Sequence, residues 1–450
     1  MNTEIVTELA RFVVKTNYPE IPQNVLEFTK GLILKTTAGM IAGSGMPSSR
    51  KITKIIKDRK LPEEVGVVGC GFKTSLWESV FLNAFFAHAA ELEDDSFGGG
   101  VFWDITVVPL VFSLAEHLRL SGKSLIEAIV VGMETHARTC SFTSDHLGIG
   151  IVPGSVGPAA AAAKALGLDV ERTASALGLA MSGNAVSIIN YGTDAHYFES
   201  ALQSLQGIMA AEMAKEGMTS NPDIAVYLSS LLGKEKVRPE KIVEDLGKKW
   251  LLRNIWIKKY PCCFYTHRQI DILLELQKQH RLSYEDVEKI DVNISPADEP
   301  CNRPEPKSLG DLQFSFQHVL GAAMLDGDVN YSHINTDILY DPKYKEARSK
   351  VNIIPHPELS DLMLVDPARL TIKMKDGGEF SGERQYPIGS PEEPLSTTEI
   401  GKLYQKFTKG VLSEKQIEKT LELLLNLEKL SDVEQLVDAI TFRHKAGSYS

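Results

Sequence analysis

The chain changes character at Lys258-Lys259-Tyr260-Pro261-Cys262-Cys263-Phe264-Tyr265-Thr266-His267. Directly after this stretch, Ile270, Leu273, Leu274 and Leu276 follow helical spacing, which puts His267 at or just before a helix N-terminus. The free N–H groups and the positive dipole end at such a position favour anions and disfavour a charged imidazole. His267 is therefore predicted to be a neutral base near neutral pH, with a surface histidine in a capped loop as the plainer alternative.

Upstream of residue 258 the sequence predicts a helical bundle. Residues 75–90, 107–120 and 125–138 are apolar nearly all round, which is typical of buried helices. The small residues at 159–166 predict a tightly packed central helix, because small side chains let two helices approach closely. The glycines between 148 and 157 fit neither phosphate-binding pattern, so no phosphate loop is predicted there.

Downstream of residue 267 the pattern of strands begins. Residues 287–294 include a period-two stretch, and 370–374 alternate apolar with polar residues. Asp376-Gly377-Gly378 then supplies a hairpin turn, with residues 379–383 as the returning strand. Prolines between 387 and 394 mark a linker, after which amphipathic helices return to the end of the chain.

These patterns predict a mainly α fold with a second α+β domain. An all-helical domain is built from both ends of the chain, residues 1–269 and 396–450, and a smaller α+β lid domain is inserted at 270–395. Because ligands are often bound between domains, His267 is expected to lie at such a junction.

Composition narrows the class of protein. The 450 residues are 43% hydrophobic and 24% charged, and the formal net charge of −11 argues against a nucleic-acid surface. No apolar run reaches membrane-spanning length, so no membrane partner is expected. The five cysteines are few and badly spaced for disulfides, and the N-terminus lacks the features of a signal peptide. A cytoplasmic protein with reduced thiols is predicted.

Four blocks, in order along the chain, resemble the MmgE/PrpD family, which includes 2-methylcitrate dehydratases, cis-aconitate decarboxylases and iminodisuccinate epimerases. The blocks are Asn83–Asp95, Gly157–Asp169 with Gly192-Thr193-Asp194-Ala195, Lys259–His267, and Asp376-Gly377-Gly378 through Pro391–Ser396. The resemblance covers essentially the whole chain. It implies a helical domain with an α+β lid, a homodimer, and no metal and no organic cofactor.

The chain departs from the family pattern at several functional positions. Residues 101–104 replace the family's His-Pro, and 150–153 replace its Thr/His-rich segment. His196 stands in place of a lysine, Glu199 in place of a histidine, and His318 in place of a tyrosine. His267 is retained. The replacements are ionisable, so we interpret them as altered function and expect His196 and His318 to face one cleft with His267.

The family reactions on tricarboxylates share proton transfer at a carbon next to a carboxylate, which requires an acid, a base and cations. The candidate catalytic residues are His267, His196, His318, Glu91 and Asp95. The candidate substrate-binding residues are Lys258, Lys259, Arg268 and Tyr260. No close metal-ligand spacing is present, so no metal site is predicted, and His88 is interpreted as structural.

Several readings of these candidates remain open. His196 can be a surface histidine, His318 a satisfied lid histidine, and Glu91 with Asp95 a solvated cluster at a helix end. For the whole protein, the leading hypothesis is a cofactor-independent lyase, a dehydratase or decarboxylase of a small polycarboxylic acid. An isomerase or epimerase of a small dicarboxylic acid and an inactive dimeric binding protein are the alternatives.

Overall fold

The computed structural model describes residues 3–96, 103–140, 154–183, 188–221, 223–362 and 365–441. Its α-helices are α1 (Thr3–Lys15), α2 (Gln23–Gly43), α3 (Pro47–Asp58), α4 (Leu76–Ala89), α5 (Trp103–Leu118), α6 (Gly122–Cys140), α7 (Val156–Ala165), α8 (Val170–Ala180), α9 (Asp194–Lys215), α10 (Ile224–Leu232), α11 (His267–His280), α12 (Leu309–Gln313), α13 (Phe316–Asp326), α14 (Thr336–Tyr340), α15 (Pro342–Ser349), α16 (Thr397–Thr408), α17 (Glu414–Leu425) and α18 (Glu434–Thr441). Its strands are β1 (Val65–Val67), β2 (Phe72–Thr74), β3 (Val287–Ile294), β4 (Val351–Pro355), β5 (Ala368–Met374) and β6 (Glu379–Arg384). The predicted class, mainly helical with a smaller α+β part, is confirmed.

The chain packs as two compact units. Within the described residues, the helical unit comprises 3–188, 194–255 and 396–441, and the α+β unit comprises 189–193 and 256–395. The stretch 256–269 therefore packs with the α+β unit. The predicted domain boundaries, 1–269, 270–395 and 396–450, stay a prediction.

Helices α6 and α7 pack closely against each other because small residues lie where they meet. A Cβ atom on Gly157 would lie 2.7 Å from the Cβ of His136 and 2.9 Å from the carbonyl oxygen of Gly132. A Cβ on Gly132 would in turn lie 2.7 Å from the Cβ of Ala161. Helix α7 is buried from Val156 to Ala163, so the run of small residues fills a central position in the bundle.

The α+β unit contains a four-stranded sheet with the order β4-β3-β5-β6. Strand β3 pairs in parallel with β4 and antiparallel with β5, and β5 and β6 form the predicted hairpin. At its turn, Asp376 Oδ1 accepts a hydrogen bond from the Gly378 N–H at 2.9 Å, and Gly377 has φ +89°. Helix α11 packs on β5 and β6, which fixes the position of its N-terminus, where His267 lies.

All five cysteines lie in described residues, and none of them forms a disulfide. Among the described helices, none combines the length and hydropathy needed to cross a bilayer. The departures from the family pattern at 101–102 and 150–153, and the glycines at 148 and 150, lie outside the described residues.

Candidate active site

His267 is the first residue of α11 and is fully buried. Its Nε2 atom lies 3.2 Å from the carbonyl oxygen of Cys262, and because a carbonyl only accepts, Nε2 carries the proton and donates. In the neutral ring Nδ1 is therefore the nitrogen with the lone pair. The ring stacks on Phe264 with centroids 4.8 Å apart and meets Tyr260 edge-on at 5.2 Å. These contacts fix the tautomer and the plane of the imidazole, which a positioned base requires.

Asp271, one turn after His267 on α11, connects the helix to the segment that precedes it. Its carboxylate accepts hydrogen bonds from the Tyr260 hydroxyl at 2.8 Å and from the Ile388 N–H at 2.9 Å, and it pairs with Lys259 Nζ at 3.2 Å. Burial raises the pKa of Asp271, and Lys259 opposes that shift. Burial raises the pKa of the Tyr260 hydroxyl, and the neighbouring Asp271 carboxylate raises it further. Lys259 and Tyr260 thus have an internal carboxylate partner, and their binding of substrate stays a prediction.

We expect Asp271→Ala to lower the free energy of unfolding by about 2–4 kcal/mol, because a hydroxyl, a backbone N–H and an ammonium lose one shared acceptor. Tyr260→Phe should cost about 1 kcal/mol, since only one of the three bonds is lost. Gln279→Ala, an exposed change on the same helix, is the control. Denaturant unfolding measures all three, and a loss for Asp271→Ala no larger than for the control would contradict this account.

Arg268 lines a cavity of about 220 Å³ in the α+β unit. Its Nη1 donates to the Asp366 carbonyl oxygen at 2.8 Å, and its Nη2 lies 3.8 Å from Asp298 Oδ1. Burial lowers the pKa of Arg268 and raises that of Asp298. His356 and Arg369 also line this cavity. Lys258, the third predicted cation, is fully buried in the segment before His267.

His318 makes contacts typical of a structural histidine. Its Nε2 donates to the His333 carbonyl oxygen at 2.8 Å, and Arg348 Nη1 lies 3.4 Å from its Nδ1. Burial lowers the pKa of His318 to about 3. Both ring nitrogens of His318 contact protein atoms, and the ring is neutral at ordinary pH. These contacts favour the alternative in which His318 is a structural histidine of the lid with its hydrogen bonds satisfied. A catalytic role for His318 stays a prediction.

In the helical unit, His88 of α4 meets His196 of α9. The two Nε2 atoms are 3.1 Å apart and the ring centroids 4.1 Å apart. His88 Nδ1 lies 2.8 Å from Ser200 Oγ, and the Ser200 hydroxyl itself donates to the Tyr197 carbonyl oxygen at 3.0 Å. Ser200 therefore accepts from His88, so the proton of His88 is on Nδ1 and its Nε2 carries the lone pair. His196 is buried, which excludes the surface alternative for it.

Glu91 and Glu93 lie beside this histidine pair. One ligand-type atom from each of His88, Glu91, Glu93 and His196 lies within 4.8 Å of the other three, and all four residues are buried. Glu91 follows the C-terminus of α4 with φ +52° and donates its N–H to the His88 carbonyl oxygen at 2.8 Å. A residue other than glycine costs roughly 1–2 kcal/mol in this conformation. Asp95 is half-buried in the loop that follows.

A buried ionic network continues from the cluster. Lys35 of α2 forms an ion pair with Asp94, and both side chains are fully buried. The Asp94 N–H donates to Asp104 Oδ1 at 2.9 Å, and the Thr36 hydroxyl donates to Asp104 Oδ2 at 2.8 Å. Burial raises the pKa of Asp104, Lys35 opposes the shift, and Glu93 adds to it. Glu91 thus belongs to a buried group of carboxylates and not to a solvated helix end, whereas Asp95 is only half-buried.

Sequence reasoning interpreted His88 as structural and did not consider Glu93 or Asp271. The spacing His88-x-x-Glu91 puts both side chains on one face at the end of a helix, and this was the available signal for His88. Asp271 could not be assigned from local patterns, because its contacts with Tyr260, Lys259 and Ile388 are made only in the folded chain. The fold brings His196 together with His88 and Glu91 in the helical unit, and His267, His318 and the predicted cations lie in the α+β unit. A cleft shared by all three predicted histidines stays a prediction.

The sequence is similar to known proteins over most of its length. It is 25% identical to the cis-aconitate decarboxylase-like protein oryM of Aspergillus oryzae, with 97% of each chain covered. It is 25% identical to the cis-aconitate decarboxylase of Aspergillus terreus, covering 97% of this chain and 96% of that protein. It is 26% identical to the human cis-aconitate decarboxylase, covering 79% and 77%.

Two family models match in the expected order. The MmgE/PrpD N-terminal domain matches residues 7–226 and the MmgE/PrpD C-terminal domain matches residues 260–429. With the relatives above, these matches support an enzyme and, in general terms, a lyase of the dehydratase or decarboxylase kind. The chain belongs to the MmgE/PrpD family.

Proposed function

We propose that this protein is a lyase that acts on a small polycarboxylic acid, with His267 as the principal acid or base. The observation that supports this role of His267 is a contact: its Nε2 lies 3.2 Å from the Cys262 carbonyl oxygen, and because that oxygen only accepts, Nδ1 is assigned as the basic nitrogen. His267 is also the family histidine that this chain retains.

In the proposed reaction, Nδ1 of His267 removes or delivers a proton at a carbon next to a substrate carboxylate. A carboxylate-stabilised anion develops, and cationic side chains lower its free energy. Lys258, Lys259 and Arg268 are proposed for this role.

The substrate is proposed to differ from that of the named relatives. His196 stands where the family pattern has a lysine, so a permanent cation is absent at that position. We expect kcat/KM for cis-aconitate and for 2-methylcitrate to be at least about 100-fold below that for the best acid in a panel of di- and tricarboxylates. Efficient turnover of either acid would contradict this expectation.

The panel assay also tests the reaction class. Each acid is incubated in deuterated buffer, and formation of an unsaturated product is followed by ultraviolet absorbance and mass spectrometry. The lyase proposal predicts an unsaturated or decarboxylated product that the His267→Gln variant does not form. Deuterium uptake without such a product would establish an epimerase instead, and ligand-dependent thermal stabilisation alone would establish a binding protein.

A further inference from the structure

We propose that the helical unit binds one divalent transition-metal ion through His88, Glu91, Glu93 and His196. The four residues are buried, and one ligand-type atom from each lies within 4.8 Å of the other three. Two imidazole nitrogens and two carboxylate oxygens form a donor set suited to Zn²⁺, Fe²⁺ or Mn²⁺. The family resemblance implies no metal, so this site is a property of the residues of this chain. It does not depend on the proposed function, because ion binding needs no substrate.

The distance between the two histidines fits a shared ion. Two ligands bound at about 2.0–2.1 Å to one tetrahedral or octahedral ion lie roughly 3.0–3.4 Å apart. The Nε2 atoms of His88 and His196 are 3.1 Å apart, on helices α4 and α9, which pack against each other. The proton that His196 Nε2 donates to His88 Nε2 moves to His196 Nδ1 when the ion binds, and the ion takes the place of that hydrogen bond.

The hydrogen bonds around His88 prepare it as a ligand. Ser200 accepts from His88 Nδ1, because its own hydroxyl donates to the Tyr197 carbonyl oxygen. This holds the tautomer in which Nε2 has the lone pair, and it is the arrangement that metal-bound histidines have with their second partner.

The charges of the region favour a cation. Glu91, Glu93, Asp94 and Asp104 are buried close together, and Lys35 is paired with one of them, Asp94. Four buried carboxylates in one region are a more favourable environment for a cation than for an anion.

The first test is metal content of the tag-free wild-type protein. The protein is stripped with a chelator, supplied separately with Zn²⁺, Co²⁺, Mn²⁺ and Fe²⁺, and dialysed exhaustively. We expect about one ion per chain for at least one metal, a rise in the thermal midpoint with that metal, and visible absorption bands with Co²⁺. Less than about a tenth of an equivalent of every metal, without thermal stabilisation, would overturn the proposal and leave a hydrogen-bonded histidine pair.

The second test is a set of variants. Glu91→Gly removes a ligand and suits the backbone, so the metal-free protein should be at least as stable as wild type while the metal affinity falls about 100-fold or more. Ser200→Ala should lower the affinity by about 10–100-fold through the orientation of His88. His117→Gln, a change at an exposed histidine of α5, should leave the affinity unchanged. Equal affinity in wild type and Glu91→Gly would overturn the assignment of the ligands, whatever the outcome of the substrate assays.

Discussion

Replacement of His267 by glutamine is expected to lower kcat by roughly 10²–10⁴-fold on the true substrate, with little change in KM. The glutamine amide can still donate to the Cys262 carbonyl, which keeps the hydrogen bond made by Nε2. It has no basic nitrogen in place of Nδ1, so proton transfer is lost while the local structure is kept. Steady-state kinetics on the best acid from the panel measures the effect.

His280→Gln is the matched control, because His280 is the exposed last residue of the same helix. It should retain wild-type kinetics. The thermal midpoint of His267→Gln should stay near that of wild type, which separates a catalytic loss from unfolding. Near-full activity of the folded His267→Gln protein would show that His267 is not the principal acid or base.

The second large effect is expected in stability. Lys35→Met leaves the carboxylate of Asp94 buried without its ammonium partner and should lower the free energy of unfolding by about 3–5 kcal/mol. Thermal and denaturant unfolding of the whole chain measure this loss. The double variant Lys35→Met with Asp94→Leu should recover much of it, because no uncompensated charge then remains at that position.

Lys30→Met is the control for this experiment. Lys30 lies on the same helix and pairs with Glu428 at 2.7 Å, but both side chains are partly exposed to solvent. Its loss should cost about 0–1 kcal/mol. Equal losses for the two lysines would contradict the view that burial makes the Lys35–Asp94 pair sensitive to the removal of one partner.

The elements of this fold were predictable where local patterns are strong. Period-two alternation and the Asp376-Gly377-Gly378 turn predicted the β5–β6 hairpin, and apolar helical spacing predicted that α11 begins near His267. Strand β4 was missed because Val351–Pro355 has no alternation of buried and exposed residues and ends in proline. Its pairing with β3 depends on the three-dimensional fold and not on local propensity.

The candidate site was predictable only where it depends on local sequence patterns. Proximity of His267 to a helix N-terminus is a local property, and the sequence contains it. The contact of His88 with His196 joins residues 108 apart, and it exists because α4 packs on α9. The positive φ of Glu91 and the pairing of Lys35 with Asp94 are likewise products of tertiary packing, so neither could be inferred from spacing.

The helical unit is discontinuous in sequence, and this has a consequence for synthesis on the ribosome. Helix α2 is buried along most of its length and packs on α16 and α17, which follow it by roughly 350 residues. At about 5–20 residues per second, those helices are made some 20–70 s after α2. During that interval the nascent chain exposes the apolar face that α16 will cover, whereas the α+β unit from 256 to 395 is complete first and can fold without delay. Chaperone dependence should therefore be concentrated in the N-terminal helices.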